Sequence, residues 1–321
     1  MKAGSIEEVA AAVRSAPSLA LACHVHPDGD ALGSMLALRH LAVAHGRDVV
    51  LSWGEPFDTA PHYRFLPGLD VAVAPEHFPH EPEVMVALDC AGLERLGSLA
   101  PNAKAASELI VLDHHPDGEE FGTINLVDPT AAATAVLVRR LADELGWPLT
   151  RDAALCLYVG LLTDTGRFQY PNTDDGVFHL AEELATYGLP IAEVTRELFE
   201  KHRFSYVQLA AMCLARAELD ASRRFVVAWI TADDLERYGV GFEETEGFID
   251  LVRRTAEADV SCVLREAPGE GLRVSLRSVA TTDVGSVAGA LGGGGHSYMA
   301  GFQTDLPIPD TISRIKQHLP V

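Results

Sequence analysis

Three short apolar runs that each end in groups able to bind divalent metals constrain this chain more than any other feature: LALACHVHPDGD at 19 to 30, VMVALDC at 84 to 90 and LIVLDHH at 109 to 115. A run of about four to eight apolar residues followed at once by polar ones reads as a buried parallel strand of an α/β sheet. In such sheets ligands collect outside the carboxyl ends of the strands. As neighbours in one sheet, the three runs project His24, Asp28, Asp30, Asp89, Asp113, His114 and His115 from a single edge.

A fourth stretch, DAALCLYVGLLTDTGRF at 152 to 168, reads as an apolar helix that places Asp164 just before a glycine-containing turn. Oxygen and imidazole donors together suit six-coordinate manganese or magnesium better than a thiolate zinc site, and none of the five cysteines stands in a CxxC spacing. Four aspartates gathered in one pocket repel one another unless cations neutralise them. Taken singly the pieces are ordinary: PDGD is a common solvated turn, Asp30 reads as the N-cap of a helix beginning at Ala31, and Asp164 reads as a helix end. Their joint occurrence is what points to a metal site.

In order, HVHPDGDALGS, the aspartate of ALDCAG, LDHHP and GLLTDTGRF resemble the four amino-terminal motifs of the DHH phosphoesterases, and GGGGHSYMAGF at 292 to 302 resembles the nucleotide-binding motif of their DHHA1 domain. The likeness is to the subgroup that includes oligoribonuclease and pAp phosphatase proteins, and it runs through nearly the whole chain. The resemblance implies two divalent cations, manganese first with magnesium or cobalt as alternatives. His24 and Asp28 would hold one, Asp30, His114 and Asp164 the other, and Asp89 would bridge them. It assigns His115 to the substrate phosphate and Asp113 to orienting its neighbours, the outer role that fixes a ligating ring.

Four consecutive glycines, Gly292, Gly293, Gly294 and Gly295, follow the helix-like DVGSVAGAL, and His296 comes next. Such a run lets backbone N–H groups approach an anion, although it is also a common flexible loop. LRVSLRSV at 272 to 279 alternates, which lines Arg273, Ser275 and Arg277 along one strand face. Arg277 falls in the family's SLRS pattern, and a guanidinium there grips phosphate in two-point fashion. By resemblance Ser275, Arg277, the glycines and His296 bind substrate. The chain departs from the pattern at Met299, where the family has a small residue before Ala300 and Gly301.

The expected architecture is α/β: a parallel-sheet DHH domain over 1 to 190, a helical connector over 191 to 221 and a smaller α/β DHHA1 domain over 222 to 321, with the active site in the cleft between the domains. TAAATAVLVRRLADELG at 130 to 146 reads as a helix of the first domain. RFVVAWIT, ADVSCVLREA, LRVSLRSV and SYMAGFQT read as strands of the second, with EETEGFIDLVRR and DTISRIKQHL as helices.

With 25 basic against 46 acidic residues and a formal charge of −21, the chain is a poor partner for duplex DNA or long RNA, whose binding rests on many Lys and Arg contacts to phosphates. No apolar stretch reaches the roughly 20 residues that span a bilayer. The amino terminus does not read as a secretion signal. Cys23, Cys90, Cys156, Cys213 and Cys262 are an odd number in apolar surroundings, expected as buried reduced thiols in a cytoplasmic protein.

These readings converge on a two-metal hydrolase that degrades very short oligoribonucleotides exonucleolytically, releasing mononucleotides, and removes the 3′-phosphate of pAp. pApA and cyclic di-AMP are the alternative substrates. A pyrophosphatase is disfavoured by the glycine run, which suits a nucleotide. A nucleotide-binding regulator without turnover is disfavoured by the complete ligand set. The family resemblance adds a homodimer.

Overall fold

The computed structural model describes residues 4–116, 118–269 and 271–320, and the chain divides into two compact units, 1–198 and 199–321. In the first unit β1 (Ser18–Cys23), β2 (Asp48–Trp53), β3 (Val84–Leu88), β4 (Glu108–Asp113) and β5 (Ile124–Val127) form one sheet in the order β2-β1-β3-β4-β5, every pair parallel. The three apolar runs are therefore adjacent strands, β1, β3 and β4. All five residues of β3 are buried, as are five of the six in β1 and in β4. That two-faced burial is why they read as continuous apolar runs and not as alternating ones.

The helices of this unit are α1 (Ile6–Ser15), α2 (Gly29–Ala44), α3 (Ala100–Ala105), α4 (Thr134–Leu145), α5 (Arg151–Asp164), α6 (Asp175–Ala185) and α7 (Ile191–Phe199). Both α2 and α5 are buried along most of their length and pack on each other. Their backbones come close enough that a Cβ on Gly160 would stand 2.6 Å from Asp30 Oδ1 and 3.3 Å from Asp30 Cα. The expected helix from 130 begins at Thr134 instead, because residues 130–133 are turn and bend.

The second unit holds α8 (Phe204–Ala215), β6 (Glu218–Asp220), β7 (Phe225–Ile230), α9 (Ala232–Tyr238), α10 (Phe248–Val252), β8 (Val260–Ala267), β9 (Gly271–Ser278), α11 (Val284–Ala290), β10 (Gly294–Gly295), β11 (Met299–Thr304) and α12 (Ile308–His318). Its sheet runs β10-β11-β9-β8-β7-β6, antiparallel except for the β7–β8 pair. The expected strands appear as β7, β8, β9 and β11. EETEGFIDLVRR is broken at Gly247 into a short 3-10 turn (Phe242–Thr245) and α10. The stretch read as a connector is split: α7 closes the first unit, while α8 packs its Tyr206, Leu209 and Cys213 into the core of the second. Among the described residues no helix is long and apolar enough to cross a membrane. All five cysteines are buried and free.

Candidate metal and nucleotide site

The register sets the candidate metal cluster. Cys23 lies beside Leu88 and Leu88 beside Leu112, so the carboxyl ends of β1, β3 and β4 are level. The residues that follow, His24, Asp89, His114 and His115, leave the sheet together, with Asp113 as the last residue of β4. Asp89 takes a left-handed backbone (φ +55°) and its N–H bonds Leu112 O at 2.9 Å. The N-cap of α2 is Asp28, whose Oδ1 accepts the N–H groups of Asp30 and Ala31, both at 3.0 Å. Asp30, which taken singly reads as a cap, sits inside the first turn and is fully buried, because the helix begins two residues earlier than Ala31. Asp164 is the last residue of α5.

Around Asp89 the side chains converge. His24 Nε2 lies 3.6 Å from Asp89 Oδ2 and 3.9 Å from Asp28 Oδ1. His114 Nε2 lies 3.6 Å from Asp89 Oδ1, 3.9 Å from Asp30 Oδ2 and 3.0 Å from Asp164 Oδ2. His115 Nδ1 bonds Asp113 Oδ1 at 2.8 Å and stands 3.8 Å from Asp89 Oδ1. Donor atoms of His24, Asp28 and Asp89 lie within 4.8 Å of one another, and so do those of Asp30, Asp89 and His114.

The tautomers make this donor set fit a cation. His24 Nδ1 faces the carbonyl of Val25 at 2.8 Å and His114 Nδ1 that of Ala131 at 3.2 Å. A carbonyl only accepts, so each Nδ1 carries the hydrogen, and the neutral ring turns its Nε2 lone pair toward carboxylate oxygens. Lone pairs facing lone pairs in a buried site need a positive charge between them, either a second proton on the ring or a cation. Burial and the carboxylates of Asp89 and Asp164 push the Asp30 carboxyl well above the usual range. Asp164 is also raised, chiefly by burial. Burial acts to raise Asp89 too, but the imidazoles of His24, His115 and His114 hold it below the usual range. Burial disfavours a charged His114, yet Asp164, Asp89 and Asp30 outweigh that and raise it. For His115 the bond to Asp113 overcomes burial and the ring is pushed up to about 9. Cys23 and Cys90 nearby are buried thiols raised by that burial, as core residues would be.

In the second unit Arg273, Ser275 and Arg277 do share the half-buried face of β9, alternating with buried Leu272, Val274, Leu276 and Ser278. Across β8 they pair with Arg265, Val263 and Ser261, and across β11 with Gln303, Gly301 and Met299. Met299, the departure from the family pattern, thus stands directly beside Arg277. Arg265 carries no alternation signal because β8 is buried on both faces along nearly its whole length. Its guanidinium lies 4.7 Å from the centre of the Phe242 ring, and burial lowers its pKa. The register of β8 against β9 sets it opposite Arg273.

The glycine run is less of a loop than its sequence suggests. Gly294 and Gly295 form β10, paired with Gly301 and Ala300, and a Cβ on Gly293 would fall 2.1 Å from Gly301 O. Close packing on β11 therefore demands glycine there independently of any ligand. His296 follows, its N–H bonding Met299 O at 2.7 Å and its ring stacked on Tyr298 at 5.4 Å.

The DHH family N-terminal domain matches residues 18–161 and the DHHA1 domain residues 223–319. The chain is 35% identical over 282 residues to the bifunctional oligoribonuclease and PAP phosphatase NrnA of Thermus thermophilus, covering 88% of this chain and 82% of that protein. The chain belongs to the DHH family. A second DHH relative, the Bacillus subtilis protein of the same name, is 26% identical over 305 residues, covering 92% of this chain and 94% of that one.

Among solved structures, an exopolyphosphatase-related protein from Bacteroides fragilis superposes with a TM-score of 0.87 at 24% identity, over 98% of this chain and 94% of that one. RecJ from Thermus thermophilus in complex with Mn2+ superposes with a TM-score of 0.55 at 16% identity, over 98% of this chain and 54% of that one. These two likenesses speak to the fold alone. The DHH cluster of aspartates and histidines on the first unit could hold metal ions.

Proposed function

We propose that this DHH protein is a two-metal phosphoesterase that hydrolyses very short oligoribonucleotides from one end, releasing mononucleotides, and removes the 3′-phosphate of pAp. The observation that carries the metal half is the pair of imidazoles, His24 and His114, each pinned through Nδ1 on a carbonyl and turned through Nε2 toward the two oxygens of Asp89. The names of the relatives that cover most of the chain support the substrate half.

On this reading His24 and Asp28 would hold one cation, Asp30, His114 and Asp164 the other, and Asp89 would serve both. Two such ions, manganese in first place with magnesium or cobalt as substitutes, would supply positive charge to the scissile phosphate and activate a water. The protein's own groups do the rest. His115, fixed through Nδ1 by Asp113, would face a phosphate oxygen or the departing one. Arg277 and Ser275 on β9 anchor a phosphate, and His296 with the glycine run takes the nucleotide. Recognition by a few phosphates fits a chain with 25 basic and 46 acidic residues. We assign the protein to the cytoplasm and to a homodimeric state, which light scattering tests.

A manganese-supplemented turnover panel of two- to five-residue RNAs, a 24-residue RNA, pAp, pApA, cyclic di-AMP and pyrophosphate tests the proposal. Consumption of the short RNAs and pAp is the expected result. Cleavage of pyrophosphate alone, or of the cyclic dinucleotide in preference to both, would overturn the substrate assignment and leave the metal assignment standing.

A further inference from the structure

The first turn of α4 touches the metal cluster through a residue that the motifs did not single out. Thr134 is fully buried, and Ala133 before it offers no side-chain cap to the helix. Asp30 supplies the cap from a distance: its Oδ2 accepts the Thr134 N–H, and its Oδ1 accepts the Ala135 N–H at 3.0 Å and the Ser34 hydroxyl at 3.0 Å. The start of α4 is thereby locked to α2. From that locked position the Thr134 hydroxyl donates to Asp89 Oδ1 at 2.9 Å.

We propose that Thr134 is the positioning residue that fixes how the Asp89 carboxylate is shared between the two cation positions. The inference rests on the reading of Asp89 as the shared ligand. Asp89 stands just past β3, and its carboxylate is otherwise approached by imidazole nitrogens at 3.6 to 3.8 Å, longer than a hydrogen bond. At 2.9 Å the hydroxyl is a closer contact and a directional one. It occupies one lone pair of Oδ1 and stops the carboxylate turning about its Cβ–Cγ bond. In this setting Oδ1 addresses His114 while Oδ2 addresses His24. Loss of the hydroxyl releases both oxygens together, so both cation positions weaken at once. A buried threonine that merely filled space would have no such signature.

Thr134→Val keeps the shape of the side chain and both backbone bonds to Asp30 while deleting the hydroxyl, and Thr134→Ser keeps the hydroxyl. The full chain is titrated with Mn2+ by calorimetry, and its melting temperature is read in chelator. T134V should bind both ions about 10–100-fold more weakly, the range for loss of an outer partner of a metal ligand. It should melt in chelator close to the wild type, and T134S should bind as the wild type does. Binding of two ions by T134V with wild-type affinity, weakening of one ion alone, or equal weakening in T134S would each overturn the proposal. Should T134V fail to fold, Thr134→Ala takes its place under the same criteria. Fewer than two ions on the wild type would instead overturn the shared role of Asp89.

Discussion

Asp89 presents Oδ2 to the Nε2 of His24 at 3.6 Å from a left-handed backbone, φ +55°. Aspartate and asparagine enter that region more readily than other side chains that carry a Cβ. Asp89→Asn should therefore fold, since it retains the shape and tolerates the backbone, yet lose the charge that two cations would share. Activity should fall by more than the about hundredfold typical of losing an outer partner. Asp89→Ala should lose activity equally and be less stable by about 1–2 kcal/mol from the backbone conformation alone. Circular dichroism with urea melts separates the two effects. An Asp89→Asn protein that keeps manganese-dependent turnover would remove Asp89 from the site.

How far the sequence speaks for this site depends on the residue. His24, Asp89, His114 and Asp164 are legible because each stands at or just past the end of an apolar run, and the run length dictates where the chain leaves the core. Asp28 and Asp30 were harder. Both have the chemistry of an N-cap, and only the bonds from Asp30 N and Ala31 N to Asp28 Oδ1 decide between them. Thr134 was hidden in a run of alanines, where a turn and a helix start look alike. Arg265 was hidden because β8 is buried on both faces, so period-2 alternation is absent. In the glycine run, composition could not separate an open loop from β10, since the need for glycine at 293 comes from β11.

Removal of cations gives a second prediction. An ion that binds the folded state alone stabilises it by about 2.7 kcal/mol at a hundred times its dissociation constant. Manganese should raise the melting temperature of the wild type and chelator should reverse the shift. The same addition should leave a double variant, His24→Ala with His114→Ala, unmoved. A manganese-induced rise of equal size in the double variant would place the stabilising ion elsewhere.

Arg277 lies on the half-buried face of β9, and its Nη1 donates to Leu276 O at 3.0 Å. Lysine keeps the charge but loses the planar fork. Arg277→Lys and Arg277→Ala should both raise KM for pAp and for dinucleotides, the alanine more, by about 1.5–3 kcal/mol for a charge-assisted phosphate bond. Manganese affinity should stay at the wild-type value, because Arg277 is not among the residues proposed to hold the cations. Unchanged KM in both variants would take β9 out of substrate binding.

The second unit carries a stability device whose pH dependence can be worked out. Asp234 is the N3 residue of a capping box on α9: it accepts the Thr231 N–H at 2.9 Å, and its own N–H bonds the Thr231 hydroxyl. Arg216, just past α8, grips both of its oxygens, one of them at 2.9 Å. Burial acts to raise the carboxyl, but Arg216 and Thr231 outweigh it and hold Asp234 below its ordinary value of 3.8. A carboxylate depressed on folding adds stability that is fully present above the unfolded pKa and fades as pH falls through the folded one. Asp234→Asn should therefore cost about 1–2 kcal/mol at neutral pH, as a lost cap with a charged partner does. The gap between variant and wild type should hold down to about pH 5 and then close as the wild-type carboxylate protonates. Paired thermal melts at neutral and strongly acidic pH measure that gap. If it stays undiminished in acid, the bonds between Arg216 and the ionised Asp234 are not what tie α9 to α8.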